Sequence, residues 1–433
     1  MASINKIIYS LLVFLYLFAY GIKLLGIPVS IFISIASVFY IYVYGLAPNF
    51  LKIWSHEIIL ILTTVCYLLF IETIHGVGLS VGNFSFYITR ILIDGILPAY
   101  VISDIGRKSK INVTELVYIL VVISIFEFII SGLMIFLPEF KSIILEFVKN
   151  YNDQNVEMNE HLFLNRGFGI AYTYLAWFPF SLGLIFIFCL FSNAVSSKLL
   201  MSIYAIAVFI LIALNARIGF IPLLLGLIIY ISISGIHGLK KIVSLVMVIF
   251  MIFYLLSFFD SSDQIDTRIE FFKSWVIEDG FSSLNSQQGS QTVDDLSNFK
   301  ILSEFNIIDF VFGKGDILVP EKGDLYTDVG YLQILFNGGL VLSFLLYSIF
   351  FLFAKQLVNA VRGVSELGLI PRNFGYFTFF ICVSFVVGHA KLRIFEINEA
   401  TRFLLLIISF FLVLIKTNCA FPRSKIEQLQ VVN

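Results

Sequence analysis

Runs of about 18 to 25 apolar residues recur along this chain of 433 residues, and they restrict its fold more than any other feature. A run of that length matches the ~30 Å hydrocarbon layer of a bilayer. With no water there to satisfy backbone N–H and C=O groups, each run has to close its hydrogen bonds internally, as a helix. Composition agrees. Hydrophobic residues make up 59% of the chain and charged residues 13%, with a mean hydropathy of +0.97. Soluble domains carry roughly 25% charged residues. The expected fold class is therefore an all-α polytopic integral membrane protein, a single transmembrane domain over 1–433.

About twelve spans are expected, near 5–22, 27–45, 58–75, 86–103, 115–137, 167–192, 199–214, 218–235, 242–259, 329–353, 374–390 and 400–416. The first follows MASINK without a small-residue cleavage site and reads as a retained helix. Lys and Arg set the orientation. With the N-terminus cytoplasmic, the inner connections collect Lys52, Arg107, Lys108, Lys110, Lys240, Lys241, Arg362, Arg372 and others. The short outer connections keep Lys23, Arg166, Arg217, Lys391 and Arg393. Both termini are expected to be cytoplasmic.

That topology leaves a smaller outer loop at 138–166 and a large one at 260–328, between the ninth and tenth spans. Both mix apolar and aromatic residues with charge, as in FKSIILEFV, RIEFFKSWVIEDGF and EFNIIDFVFG, a pattern suited to short amphipathic helices on the membrane surface. The polar middle, SSLNSQQGSQTVDDLSN, reads as mobile.

A net charge of −1 gives no argument for nucleic-acid binding. The four cysteines, Cys66, Cys189, Cys382 and Cys419, form no close pairs, and the histidines show no metal-ligand spacing, so neither a disulfide nor a metal is expected. No phosphate-binding glycine loop, nucleophile elbow or dinucleotide fingerprint is present, and no nucleotide or redox cofactor is expected.

Ionisable residues inside spans are costly and mark candidate sites. Arg90 and Asp94 fall four apart on one helix face, either as a structural pair or on a substrate path. Glu127 lies deep in its span, as a hydrogen-bonded core carboxyl or a functional one. Glu72 and His75 sit one turn apart near an outer end, lining a site or serving interfacial polarity. Arg166 in LNRGFGIAY, Arg217 in LNARIGFIP, and Lys391, Arg393 and Arg402 in GHAKLRIFEINEATRF place cations where short outer connections normally lack them. Guanidinium forks bind phosphate oxygens bidentately and keep their charge, which suits a diphosphate headgroup; snorkelling to lipid headgroups is the other reading. Asp328, in TDVGYLQ beside Tyr331, stands at the lip of a span, able to orient or deprotonate a hydroxyl or to cap the helix that follows. Arg268 either reaches a substrate from the large loop or pairs with Asp263 or Asp266.

The outward arginines, the long late loop and TDVGYLQILFNGGLVLSFLLY together resemble the O-antigen polymerase (Wzy) family and its relative, O-antigen ligase. Where ligases carry His-Asn, nine residues and glycine, this chain has Asp328, Val329, nine residues and Gly339, an acidic form closer to polymerases. NRGFG at Arg166 and ARIGFI at Arg217 are similar to the family's arginine elements. The resemblance implies an inverting glycosyltransferase of the bacterial inner membrane that acts on undecaprenyl-diphosphate-linked oligosaccharide. It implies Asp328 and Arg217 as catalytic residues, and Arg166, Arg268, Lys391, Arg393, Arg402 and Tyr331 as substrate-binding ones. Membrane lipids and a chain-length regulator would be its partners. A ligase and a lipid-linked oligosaccharide flippase are the rival readings.

Overall fold

The computed structural model describes residues 2–19, 22–24, 27–76, 84–148, 169–170, 177–215, 217–256, 306–315, 330–389 and 397–419. About 89% of these are helical. Asp328, Arg166, Arg268, Lys391 and Arg393 lie outside the described residues, as does most of the 260–328 loop.

Helix α1 (Ala2–Leu17) leads through a hairpin of β1 (Lys23–Leu24) and β2 (Ile27–Pro28), paired antiparallel, into α2 (Val29–Val43) and α3 (Ala47–Ile74). Next comes a continuous helical run, Phe84–Lys108, made of α4 (Phe84–Arg90), a π-helical turn (Ile91–Ile96) and α5 (Leu97–Lys108). Proline explains the wide turn. Pro98 has no N–H to offer Asp94 in α register or Ile93 in π register, so the chain unwinds just before it. Helix α6 (Val113–Phe136) starts at a capping box, with Asn112 accepting from the Glu115 amide and the Glu115 side chain accepting from that of Asn112. The remaining helices are α7 (Pro138–Val148), α8 (Trp177–Ser192), α9 (Lys198–Asn215), α10 (Phe220–Leu256), α11 (Ile307–Phe312), α12 (Gly330–Glu366), α13 (Gly375–His389) and α14 (Glu399–Cys419).

Among the described residues, seven helical stretches are long and apolar enough to cross a membrane: α3, the Phe84–Lys108 run, α6, α9, the first part of α10, α12 and α14. Shorter apolar helices are Ile4–Leu17, Val29–Val43 and Trp177–Ser192. The chain is an all-α membrane protein of several spans. The spans expected at 218–235 and 242–259 map onto Phe220–Leu256, two helical stretches that part at Gly235 (φ 59°, ψ −142°). The Lys240–Lys241 pair that suggested a loop is compatible with helix, since lysine is a good helix former. The short helices expected in FKSIILEFV and EFNIIDFVFG are present as α7 and α11.

Helix α8 organises the bundle. Every one of its residues is buried, as an all-round apolar helix must be when it sits at the centre. Phe188 packs against Phe374, Phe377, Phe403 and Phe411, tying α8 to α13 and α14. Glycines bring helices closest: a Cβ on Gly95 would meet Ile397 and Leu405 at 2.7 and 2.8 Å, so α14 lies directly on the π turn. The outward faces of α3 and α12 show Phe70, Ile74, Phe344 and Phe351, the lipid-facing complement of that core.

Candidate functional site

Buried polar side chains gather where α1, α3 and α13 finish and where α4, α8, α12 and α14 begin, and contacts between those termini hold that end together. Phe18, just past α1, stacks edge-on against Phe178 of α8 at 5.7 Å. Tyr16 donates its hydroxyl to the Gly95 carbonyl in the π turn, 3.0 Å, while its own carbonyl accepts from Arg402 Nη1 of α14 at 2.8 Å. The Arg402 guanidinium also lies 5.4 Å from the centre of the Tyr16 ring. One tyrosine thereby bridges α1, the π turn and α14.

The π turn supplies the second half of this cluster. Arg90 Nε donates to Asp94 Oδ2 at 2.8 Å, the structural pairing that their four-residue spacing allowed. Ser34 of α2 donates to Asp94 Oδ1 at 3.0 Å and also approaches the Ile93 carbonyl at 3.1 Å. That carbonyl is one Pro98 leaves without its helical donor. Arg402 is 1% exposed and Glu399, one turn before it, 0%, so this end buries both signs of charge beneath its surface. Asn398 opens α14 as its cap, accepting from the Thr401 amide at 2.9 Å.

Other candidates have structural partners of long sequence separation. Glu72 takes the Ser85 amide (3.1 Å) and hydroxyl (2.7 Å), which caps the start of α4 from the end of α3. Glu127, 0% exposed, accepts the Ile170 amide at 2.9 Å. Gly169 (φ 61°) sits so tightly on Glu127 and Ser131 that no side chain fits there. The NRGFG motif and the buried carboxyl of α6, two separate features in sequence, therefore meet. Arg166 itself precedes this contact by three positions.

The 3-10 turn Arg217–Gly219 packs onto the first turn of α8, with a Cβ on Gly219 falling 2.6 Å from the Pro179 carbonyl. Across the same turn of α8, Phe180 fills the space beside Gly388, next to His389, whose ring lies 5.7 Å from Tyr347. The Arg217 turn and Arg402 are thus brought to the same end of the bundle. Tyr331 is half-buried in the first turn of α12, two turns before Asn337, whose amide donates to the Gln333 carbonyl at 2.7 Å.

Sequence reasoning missed Tyr16, Ser34, Gln333 and Asn337 because each is a polar residue within an otherwise ordinary span. The Pro98 inside an apolar run was the available signal for the π turn. Among the described residues no group of three His, Cys, Asp or Glu is placed to hold a metal ion, and Cys66, Cys189 and Cys382 are free thiols. No family model, curated protein or solved structure matches the chain.

Proposed function

We propose that this protein is a polysaccharide repeat-unit polymerase of the bacterial inner membrane, crossing it about twelve times with both termini cytoplasmic. The observation that carries the reading is the convergence of the Arg217 turn, Arg402 and the Arg90–Asp94 pair at the end of the bundle where α1, α3 and α13 finish. The sequence resemblance to O-antigen polymerases supports it from the other side.

In this reading the acceptor is a hydroxyl on the non-reducing end of a lipid-linked repeat unit. Its oxygen attacks the anomeric carbon of the growing glycan, forming the new glycosidic bond as the bond to undecaprenyl diphosphate breaks. Asp328 accepts the hydroxyl proton or aligns that hydroxyl. Arg217, with Arg166, Arg268, Lys391 and Arg393 arriving from outer connections, neutralises charge that builds on the departing diphosphate. Arg402 acts from beneath, held by Tyr16, as a fixed positive charge in a low-dielectric setting. In-line attack inverts the anomeric centre. The lipid diphosphate is already an activated leaving group, so the chemistry needs no nucleotide on the outer face.

The broken helices α10 and α12 favour a second reading, a lipid-linked oligosaccharide flippase, because transporters build substrate sites from discontinuous helices. Gel analysis of surface polysaccharide separates the two. Loss of a polymerase leaves core lipid carrying a single repeat unit, whereas loss of a flippase or ligase leaves the core uncapped. Arg217→Ala and Asp328→Ala should each reproduce the single-unit pattern while the protein still accumulates in the membrane. Normal ladders from both variants would sink the assignment.

A further inference from the structure

The late loop returns to the bundle at Asn306–Gly315, and the way it docks points to the bilayer. Helix α12 is broken at Gly338 and Gly339, the latter at φ 61°, ψ −160°, a conformation that suits glycine. The break exposes the Phe336 and Asn337 carbonyls, and these accept the amides of Lys314 and Gly315 at 2.8 and 3.1 Å. Tyr67 of α3 closes the joint, its hydroxyl 3.0 Å from the Phe312 carbonyl and 2.8 Å from that of Gly338. The backbones approach so closely that a Cβ on Gly313 would meet Gly338 at 2.5 Å.

Helical backbone of both α3 and α12 continues past this joint. Tyr67 lies seven residues before the end of α3, about 10 Å along its axis, and Gly338 lies eight residues into α12, about 12 Å. In hydrocarbon, irregular backbone persists only where its polar groups are satisfied. Here they are: Asn306 Oδ1 takes the Asp309 amide (2.8 Å), the Asp309 carbonyl takes the Gly313 amide (2.7 Å), and the next two amides bond across the break. The segment's charges, Asp309 and Lys314, face each other at 3.9 Å, and the ammonium also lies 5.5 Å from the centre of the Phe336 ring.

What the segment shows outward is apolar. Ile307 is 81% and Ile308 65% exposed, with Phe310 and Phe312 beside them. The segment is bonded to α3 through Tyr67 and to α12 through the Phe336 and Asn337 carbonyls, two helices long and apolar enough to cross the membrane that also expose Phe70, Ile74, Leu340 and Phe344. A loop in water would not present that surface or need such full backbone pairing. We propose that Asn306–Gly315 is a re-entrant element, seated in one leaflet with Ile307, Ile308, Phe310 and Phe312 against lipid acyl chains. The large loop is therefore anchored within the membrane at this point rather than lying wholly in water. This inference rests on the membrane fold and stands or falls apart from the enzymatic reading.

The test uses the full chain in phosphatidylcholine–phosphatidylglycerol nanodiscs, its four cysteines replaced by alanine and Ile308→Cys carrying an environment-sensitive fluorophore. Acyl-chain spin labels at carbon 5 or 12 should quench it several-fold more than aqueous iodide does. Ser286→Cys, in the polar middle of the loop, serves as the iodide-accessible reference. Stronger quenching by iodide would overturn the proposal, and so would protection from both quenchers, which would mean that protein covers the patch. If the cysteine-free chain does not stay folded, the wild-type protein with acyl-diazirine phosphatidylcholine answers the same question. Carbene adducts on residues 306–312 are expected, and adducts confined to the long helices would refute it.

Discussion

The two ends of the bundle hold their basic side chains in different ways. At the far end, Lys6 of α1 pairs with Glu115 of α6, Asp104 with Arg107 and Lys108 at 2.6 and 3.4 Å, and Arg362 with Glu366 at 2.9 Å. In each of these the basic side chain keeps roughly a third or more of its surface open (49%, 35%, 39% and 79%). Lys108 also lies 3.5 Å from the centre of the Tyr44 ring, a cation resting its charge on an interfacial aromatic. At the site end, Arg90 and Asp94 are nearly closed off, and Glu72, Glu127, Glu399 and Arg402 are buried. Charge that reaches water is cheap to hold. Charge that is enclosed persists only with well-placed partners, as the buried Asp104 finds at the far end in Arg107 and Lys108.

That contrast can be broken by substitution, beginning where the expected effect is largest. Asp94→Ala should destabilise the protein by about 3–5 kcal/mol, because it strands the enclosed Arg90 guanidinium and removes the Ser34 acceptor. Thermal inactivation in detergent, followed as loss of monodisperse protein, measures this; a melting point equal to wild type would show that the enclosure is not costly. Glu72→Ala should cost about 2 kcal/mol by leaving the Ser85 amide without its cap, and the same melt should show a smaller drop. Tyr67→Phe should cost about 1 kcal/mol overall. Its clearer signature is faster hydrogen exchange at the Lys314 and Gly315 amides, and unchanged exchange there would argue that the hydroxyl does not hold the joint. Arg362→Ala at the far end should stay within about 0.5 kcal/mol of wild type, since its pair is exposed to water. A large effect from Arg362 would erase the distinction between the two ends.

Legibility in the sequence followed the range of each interaction. The Arg90–Asp94 pair was readable because four-residue spacing on a helix brings side chains together. The α7 and α11 segments were readable from local pattern, whereas the equally local Asn112–Glu115 box was not singled out. Glu72 and Ser85 are 13 positions apart, and Glu127 with Ile170 reaches across 43; both carboxyls stood out, but neither partner did. Arg402 was singled out as an outer cation, yet its seat on Tyr16, 386 positions away, has no local signature.

The arrangement of apolar runs determined, by itself, that this is a helical membrane protein, since hydrocarbon offers the backbone no other partner over such lengths. It also determined where charge interrupts those runs. Tertiary structure decided which interruptions meet. Only packing against α8 brings the Arg217 turn to the end of the bundle that holds Arg402, and only the α3–α12 contact turns Gly338–Gly339 from a flexible pair into a docking joint. Spacing reports contacts within a helix, where neighbours are set by 3.6 residues per turn; contacts between helices depend on which faces bury together.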